Sequence, residues 1–259
     1  MAKHQDIRLN KSLGQHFLND RSVLSRIYEA ILACAGNLPL LEVGPGAGAL
    51  SALLQDRTDY KLVEFDKRWV EHLEKEYPLL KGKVIAADFL QLDLQDVFAK
   101  NYAVVGNFPY NISSQIVFHI LDHKDKIPLM LGMFQKEVAA RICAKEGSKT
   151  YGVISVLTQL YYETEYLFDV PREAFNPPPK VLSGVMVMKR RAQDFDIDQQ
   201  LFKQVVKLAF NQRRKTLRNS LKQLLRDKEV KGLDLFNLRP EQLSLDDFLN
   251  LVKLIATQK

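Results

Sequence analysis

The chain has 259 residues, 46% of them hydrophobic and 26% charged, which is typical of one sizeable globular domain with a small appendage. Two cysteines exclude a disulfide framework, and no apolar run is long enough to span a membrane. The opening sequence MAKHQDIRLNKSLGQ lacks the apolar core of a secretory signal, so we expect a cytoplasmic protein.

The net charge of +6 is distributed unevenly along the chain. Residues 191–259 carry 14 Lys and Arg against 9 Asp and Glu, so this last quarter accounts for +5 of the total. Such an asymmetry favours a polyanionic partner, although a basic surface that meets only solvent gives the same pattern.

Short apolar runs alternate with helical patterns in the first 160 residues. Because strands that alternate with helices form βαβ units, this order predicts a parallel sheet covered on both faces. The predicted strands are 38–43, 61–65, 83–88, 102–107 and 128–134. The predicted helices begin near 49 and span 69–77, 113–121, 136–144 and 152–161.

Two further strand-like runs, 164–170 and 183–189, are separated only by a proline-rich turn, which predicts antiparallel neighbours. A parallel sheet finished by an antiparallel strand resembles the α/β, seven-stranded, Rossmann-like class I fold of S-adenosylmethionine-dependent methyltransferases. The remaining pattern is helical, with predicted helices at 199–210, 213–226 and 241–256. We therefore predict a methyltransferase domain over 1–190 and a small all-helical domain over 191–259, divided within the polar stretch RAQDFDID.

Polar and glycine residues follow three of the predicted strands. EVGPGAGA contributes Gly44 and Gly46, whose flexibility permits a sharp turn close to a ligand. Glu64 ends the second strand, where an acid can accept hydrogen bonds from ribose hydroxyls, and Asp88 ends the third, near the position of an adenine. Because Gly44, Gly46 and Ala49 also satisfy the pattern GxGxxA, NAD and FAD stay open beside S-adenosylmethionine.

The stretch GNFPY at the end of the fourth strand suits transfer of a methyl group to the exocyclic amine of adenine. That amine is a poor nucleophile, so the enzyme must hold and polarise it. The Asn107 side-chain oxygen and the Pro109 backbone carbonyl can accept its two N–H bonds, and Tyr110 can stack on an extruded base. We expect the rate gain to come from orientation and preorganised electrostatics.

Several motifs resemble the ribosomal RNA adenine N6-dimethyltransferase family. They are, in the order in which the family has them, SLGQHFL, GNFPYNIS, AFNPPPKVLS and NQRRKTLRNSL. The resemblance is closest to the enzymes that use S-adenosylmethionine to dimethylate two adjacent adenines near the 3′ end of small-subunit ribosomal RNA. It implies that the amino-terminal segment covers the cofactor. It also implies cofactor contacts at His16, Leu18, Gly44, Gly46, Glu64, Asp88 and Asn107.

The same resemblance implies a target-adenine pocket of Asn107, Pro109, Tyr110 and Phe175, with Phe175 stacking on the base. Two positions depart from the family pattern. His16 stands where the family commonly has Asn, and Phe108 stands where it has Leu. We expect His16 to keep a hydrogen bond and Phe108 to cause only local repacking.

The basic helical end is predicted to bind RNA phosphates. Arg214, Arg218, Lys222 and Arg226 recur every four residues, which would put them on one face of the helix predicted at 213–226. The predicted RNA-binding residues are Arg213, Arg214, Lys215, Arg218 and Lys222. We expect a monomer that acts on small-subunit RNA within an immature 30S subunit, without a membrane partner or a metal ion.

Three other functions stay open. Methylases of the erythromycin-resistance type modify large-subunit RNA and share GNxPYNIS and the F-x-P-x-P block. The basic tail also suits a ribosome-assembly factor that acts mainly by binding. An NAD-dependent oxidoreductase rests on the glycine turn alone.

Overall fold

A computed structural model of the protein describes residues 16–225 and 234–256. The strands are β1 (Phe17–Leu18), β2 (Leu40–Val43), β3 (Tyr60–Glu64), β4 (Val84–Ala86), β5 (Ala103–Asn107), β6 (Leu129–Gln135), β7 (Tyr162–Val170), β8 (Phe175–Asn176) and β9 (Ser183–Arg190). The α-helices are α1 (Arg21–Ala35), α2 (Ser51–Leu54), α3 (Lys67–Glu76), α4 (Ser113–Asp122), α5 (Lys136–Ile142), α6 (Val153–Gln159), α7 (Gln199–Asn211), α8 (Leu217–Ser220), α9 (Lys222–Leu225) and α10 (Leu245–Ala256).

Seven strands form one sheet in the order β4-β3-β2-β5-β6-β9-β7. The pairs from β4 to β6 are parallel, and β9 runs antiparallel to β6, with Gln135 opposite Ser183. The predicted α/β fold with an antiparallel strand near the sheet edge is therefore confirmed. Because β9 is reversed, its first residue lies at the edge where the parallel strands end.

The strands at the centre of the sheet are apolar along most of their length, as burial on both faces requires. Residues Leu40–Val43 of β2 are all buried, and so are the first four residues of β5. The sequence interpretation gave no bounds for a helix in the segment that forms α1. That helix starts where Asp20 accepts from the backbone of Ser22, and it buries one stripe that includes Ile31, which is fully inaccessible.

The described chain separates into two compact units. Of the described residues, the first comprises 16–139 and Glu165–Arg190, and the second comprises Ala140–Thr164, 191–225 and 234–256. The change of unit at Arg190 coincides with the end of the predicted domain 1–190. Residues 140–164, which the sequence interpretation placed with the sheet, group instead with the carboxyl-terminal helices. Within the described residues, no helix is both long and apolar enough to cross a membrane.

The helix predicted over 213–226 is wrong. Residues 212–215 form a turn and a bend, Thr216 is extended, and two short helices, α8 and α9, follow. The backbone N–H of Leu217 donates to the carbonyl of Leu238, 2.9 Å away, which fixes the break. Buried Leu217 and Leu221 anchor the short helices in the core of the second unit. A tertiary hydrogen bond thus overrides a favourable helical spacing.

Candidate active site

The strand ends of the first unit enclose a cavity of about 260 Å³. Parallel strands place their carboxyl ends at one edge of the sheet, where open α/β sheets bind ligands. Nine of the predicted site residues line this cavity: His16, Leu18, Gly44, Gly46, Glu64, Asp88, Asn107, Pro109 and Tyr110. The structure therefore brings the two predicted groups, for cofactor and for adenine, together at one site.

The glycine turn after β2 is shaped by two close approaches. Gly44 has a φ of 65°, and a Cβ there would lie 3.3 Å from the ring of Pro109. Gly46 has a φ of 52°, and a Cβ there would lie 2.9 Å from the ring of Phe17. Both positions therefore favour glycine on two grounds, the backbone conformation and the space. The helix expected near residue 49 is short and begins at Ser51.

Glu64 lines the cavity and binds two backbone N–H groups beside it. Its two carboxylate oxygens accept hydrogen bonds from the backbone N–H groups of Gly46 at 3.1 Å and Asp66 at 2.9 Å. Burial raises the pKa of Glu64, against the lowering effect of these amides. Each oxygen keeps a further lone pair, so the carboxylate can still accept from the hydroxyls of a ligand.

Asp88 and Phe65 lie at the adenine end of the predicted cofactor site. Asp88 was predicted from the sequence, and Phe65 was missed. Asp88 lines the cavity, and its Oδ1 accepts from the backbone N–H of Leu90 at 2.9 Å, which orients the carboxylate. Phe65 directly follows Glu64, lines the same cavity and is 63% exposed. An exposed aromatic ring beside a polar group suits a flat heterocycle. The signal was the Phe that closes the strand sequence KLVEF.

The turn after β5 carries the predicted amine acceptors. Asn107 donates from Nδ2 to the carbonyl of His16 at 3.3 Å, which leaves its Oδ1 as the acceptor for a ligand. The Pro109 carbonyl accepts from the backbone N–H of Ile112 at 3.3 Å, which orients it and leaves its second lone pair for a ligand. Oγ of Ser113 also lies 3.3 Å from this carbonyl, but its one proton has a nearer acceptor in the Tyr110 carbonyl at 3.0 Å. The sequence alone did not reveal this arrangement.

Phe108 is buried beneath this turn. Its ring stacks on Phe134, with centroids 4.7 Å apart and planes 20° apart. It also lies directly over Gly132 of β6, where a Cβ would come within 2.4 Å of the ring. The absence of a side chain at Gly132 therefore provides the room for the larger residue. That the departure from Leu causes only local repacking stays a prediction.

Tyr110 forms the wall of the cavity beside the turn. Its hydroxyl lies 2.5 Å from Oγ of Ser183, and its ring lies 6.0 Å from the ring of His16 at an interplanar angle of 29°. Burial raises the pKa of Tyr110 to about 12. The phenol therefore stays neutral near pH 7.

The short strand β1 joins the amino-terminal segment to the proline-rich turn. Leu18 pairs with Phe175 in an antiparallel ladder, and Nδ1–H of His16 donates to the carbonyl of Pro177 at 3.0 Å. Phe175 is only 4% exposed and does not line the cavity. Its role in stacking on the target base stays a prediction, and it requires the ring to move out of this buried position.

A buried carboxylate lies behind the glycine turn. Oε2 of Glu42 accepts from Ser51 Oγ at 2.8 Å and from the hydroxyl of Tyr60. Burial raises the pKa of Glu42 to about 7, because the charged form loses its hydration. Sequence reasoning did not identify this cluster, which links β2, α2 and β3 through side chains.

The predicted RNA-binding residues lie in the second unit. Arg214, Lys215, Arg218 and Lys222 are at least partly exposed. Arg213 is half-buried, and it contacts Glu241 at 3.8 Å and the carbonyl of Ser148 at 3.4 Å. Because α8 and α9 are separate, the four-residue spacing does not define one helix face, and Arg226 lies outside the described residues. Within 16–225 and 234–256, no group of three or more His, Cys, Asp or Glu residues could hold a metal ion.

Comparison with known proteins gives a consistent result over nearly the whole chain. The family model described as ribosomal RNA adenine dimethylase matches residues 7–257. A ribosomal RNA small subunit methyltransferase A from Parabacteroides distasonis is 51% identical over 248 residues, which cover 95% of this chain and 93% of the relative.

Two solved structures resemble the protein over nearly their full lengths. A dimethyladenosine transferase from Plasmodium falciparum has a TM-score of 0.77 and 23% identity, with coverage of 93% of this chain and 98% of that one. The 23S rRNA methyltransferase ErmE has a TM-score of 0.68 and 28% identity, with coverage of 92% and 99%. The first likeness concerns the fold alone. The family match and the identity to the bacterial relative decide the assignment: the chain belongs to the ribosomal RNA adenine dimethylase family.

Proposed function

We propose that the protein uses S-adenosylmethionine to dimethylate N6 of two adjacent adenines near the 3′ end of small-subunit ribosomal RNA. The observation that carries the proposal is the meeting of two half-sites in one cavity. Gly46 and Glu64 form the half suited to a nucleoside, and Asn107, Pro109 and Tyr110 form the half suited to an extruded base. Membership of the adenine dimethylase family gives the reaction its class.

The residues around the cavity fit S-adenosylmethionine. Because Gly44 and Gly46 have no side chain, the backbone of this turn can approach a ligand closely. Glu64 would accept from the ribose hydroxyls, and Phe65 and Asp88 would contact the adenine by its face and its edge. The bound cofactor supplies a methyl group on a sulfonium, which is already a good electrophile.

The protein's part in the chemistry is to hold the amine. Asn107 Oδ1 and the Pro109 carbonyl would accept the two N–H bonds of the exocyclic nitrogen and so direct its lone pair towards the cofactor side of the cavity. Tyr110 would stack on the base, which has to leave its helix to enter the site. After one methylation the nitrogen keeps one N–H, so one acceptor still holds it for the second transfer. Preorganised acceptors of this kind cost no rearrangement during the reaction.

The RNA is proposed to be that of the small subunit. The relative named for that subunit is 51% identical to this chain, against 28% for the large-subunit enzyme ErmE. Arg214, Lys215, Arg218 and Lys222 would bind phosphates, which set position without reading sequence. In its finer form, the proposal is a monomer that binds this RNA inside an immature 30S subunit.

The test is a methylation assay with labelled cofactor, in which the protein is offered small-subunit and large-subunit RNA separately, each as naked RNA and as immature particles. We expect labelled N6,N6-dimethyladenosine at two adjacent positions near the 3′ end of small-subunit RNA. Label confined to large-subunit RNA would overturn the choice of substrate. An assembly role without catalysis predicts particle binding and no label in any RNA.

A further inference from the structure

The reversed strand β9 brings one more side chain to the site. Ser183 is the first residue of β9 and lies opposite Gln135, the last residue of β6. An antiparallel strand begins where its parallel neighbours end, so the topology alone places Ser183 at the edge that carries the cavity. Its side chain is fully buried, and its Oγ lies 2.5 Å from the hydroxyl of Tyr110.

Tyr110 is thereby held at both ends. Its ring is tied through the phenol to Ser183, and its backbone carbonyl accepts from Oγ of Ser113 at 3.0 Å. The aromatic χ2 torsion has a broad energy well, so packing and the terminal hydroxyl decide where the ring lies. A stacking surface is useful only if its plane matches the plane of the incoming base.

We propose that Ser183 is a positioning residue that holds the ring of Tyr110 in the orientation in which it receives the target adenine. The inference rests on the proposed function, because it assigns Ser183 to the base-binding half of the same site. Ser183 acts through Tyr110 and is not expected to touch the substrate. Its effect should therefore appear only when residue 110 carries a hydroxyl.

The neutral phenol strengthens the case. A tyrosine that ionised near pH 7 could bind a cation or act as a base, and its hydroxyl would need a different partner. A phenol is already protonated near pH 7 at its ordinary pKa of 10.0, and burial raises the pKa of Tyr110 further, to about 12, so the O–H remains available to the serine. Ser183 is fully buried and Tyr110 partly buried, so a hydrogen bond between their hydroxyls is costly to leave half-made.

The experiment is a double-mutant cycle in the full-length protein with small-subunit RNA and S-adenosylmethionine. Ser183→Ala is expected to lower kcat/KM for the RNA about five- to tenfold, the range set by one net hydrogen bond. Dissociation of S-adenosylmethionine, measured by calorimetry, should change by less than about twofold, because the cofactor half of the site is untouched. In the Tyr110→Phe background, Ser183→Ala should have no further effect on kcat/KM.

A matched pair of variants separates the hydroxyl from the volume. Ser183→Thr and Ser183→Val have the same shape, and only threonine keeps the oxygen. We expect the threonine variant to be at least about threefold more active than the valine variant, since it retains most of one net hydrogen bond. Ser114→Ala, at an exposed serine on α4, is the control and should match the wild type. If neither the Ser183→Thr nor the Ser183→Val variant folds, the double-mutant cycle of Ser183→Ala and Tyr110→Phe decides.

Equal losses from Ser183→Ala in the wild-type and Tyr110→Phe backgrounds would show a merely structural serine and overturn the inference, while wild-type methylation would leave the proposed function intact. Full activity of Ser183→Ala would overturn it as well. If the wild type methylates no adenine at all, the proposed function itself fails and the inference fails with it.

Discussion

The side-chain amide of Asn107 donates to the backbone carbonyl of His16 across 3.3 Å. One hydrogen bond thus joins the turn proposed to hold the amine to the segment proposed to cover the cofactor. Because the amide N–H is already used, the proposal makes Oδ1 the atom that meets the ligand. The same segment continues through Phe17, whose ring packs on the glycine turn. The segment at residues 16–17 therefore contacts both the glycine turn at Gly46 and the turn at Asn107.

Substitution at the glycine turn should weaken cofactor binding through a steric clash. Gly46→Ala places a Cβ 2.9 Å from the ring of Phe17, so the covering segment must shift. Gly36→Ala is a matched control, since Gly36 has the same φ of 52° but no atom within 4 Å of the place where its Cβ would lie. We expect S-adenosylmethionine affinity, measured by calorimetry, to fall at least about fivefold for Gly46→Ala and less than about twofold for Gly36→Ala, because overpacking costs about 1 kcal/mol or more. Similar losses in both variants would assign the effect to backbone strain.

The packing of Phe108 against Gly132 predicts that a substitution at Phe108 costs less stability than one at Gly132. Phe108→Leu should cost about 1 kcal/mol of stability and leave methyl transfer nearly intact, because Leu remains apolar and Gly132 gives it room. Gly132→Ala should cost about 3 kcal/mol, the upper part of the range for overpacking. Its Cβ would lie 2.3 Å from the backbone oxygen of Gly106, so adding Phe108→Leu should not restore stability. Urea unfolding measures all three, and full rescue in the double variant would contradict this packing.

The buried Glu42 predicts a pH dependence of stability. Its pKa is raised from 4.5 to about 7 in the folded protein, so the folded state binds the proton more tightly than the unfolded chain. The free energy of unfolding therefore falls as the pH rises. The contribution of Glu42 to it is fully present below about pH 4.5 and is lost as the pH rises through about 7. Glu42→Gln keeps an acceptor for Ser51 and Tyr60 and removes the charge.

The difference in unfolding free energy between Glu42→Gln and the wild type should therefore grow in favour of the variant between about pH 5 and about pH 8. The expected gain is up to about 3 kcal/mol, from roughly 2.5 pKa units at about 1.36 kcal/mol each. Urea titrations of the cofactor-free protein at both pH values measure it. A difference that is the same at both pH values would exclude a titrating Glu42.

The exposed basic residues predict a salt-dependent loss of RNA binding. Replacing Arg214, Arg218 or Lys222 by Ala should weaken binding of small-subunit RNA and reduce the slope of log K against log salt by about 1 for each phosphate that is no longer neutralised. Lys81→Ala, at an exposed lysine of the first unit, is the control. Arg213→Ala should act differently, because Arg213 is engaged with Glu241 and the carbonyl of Ser148. An unchanged slope in all three variants would remove this surface from the RNA interface.

The sequence predicted the parallel part of the fold and most of the site for one physical reason. Apolar runs identify buried strands, and residues that follow parallel strands must meet at one edge of the sheet. Gly44, Glu64, Asp88 and Asn107 each follow or end such a strand, and all four line the cavity. At these positions the local sequence pattern is enough to predict where the residue lies in the folded protein.

The sequence failed where long-range contacts decide the structure. Leu18 pairs with Phe175, and Tyr110 contacts Ser183 across 73 residues, yet neither pairing leaves a periodic signal. The break before α8 depends on the carbonyl of Leu238, a tertiary partner that outweighs helical spacing. Phe175 was predicted from a motif to stack on the base; its ring is buried in this structure, and its role stays a prediction.

The central claim is that Asn107 holds the adenine amine during methyl transfer. The most direct measurement compares wild type, Asn107→Ala and the exposed control Asn101→Ala on immature small subunits, with labelled cofactor and mass analysis of the nucleosides. Removing one preorganised acceptor should lower the rate of dimethyladenosine formation about 100-fold, while Asn101→Ala matches the wild type. Undiminished formation of N6,N6-dimethyladenosine by Asn107→Ala would contradict the account.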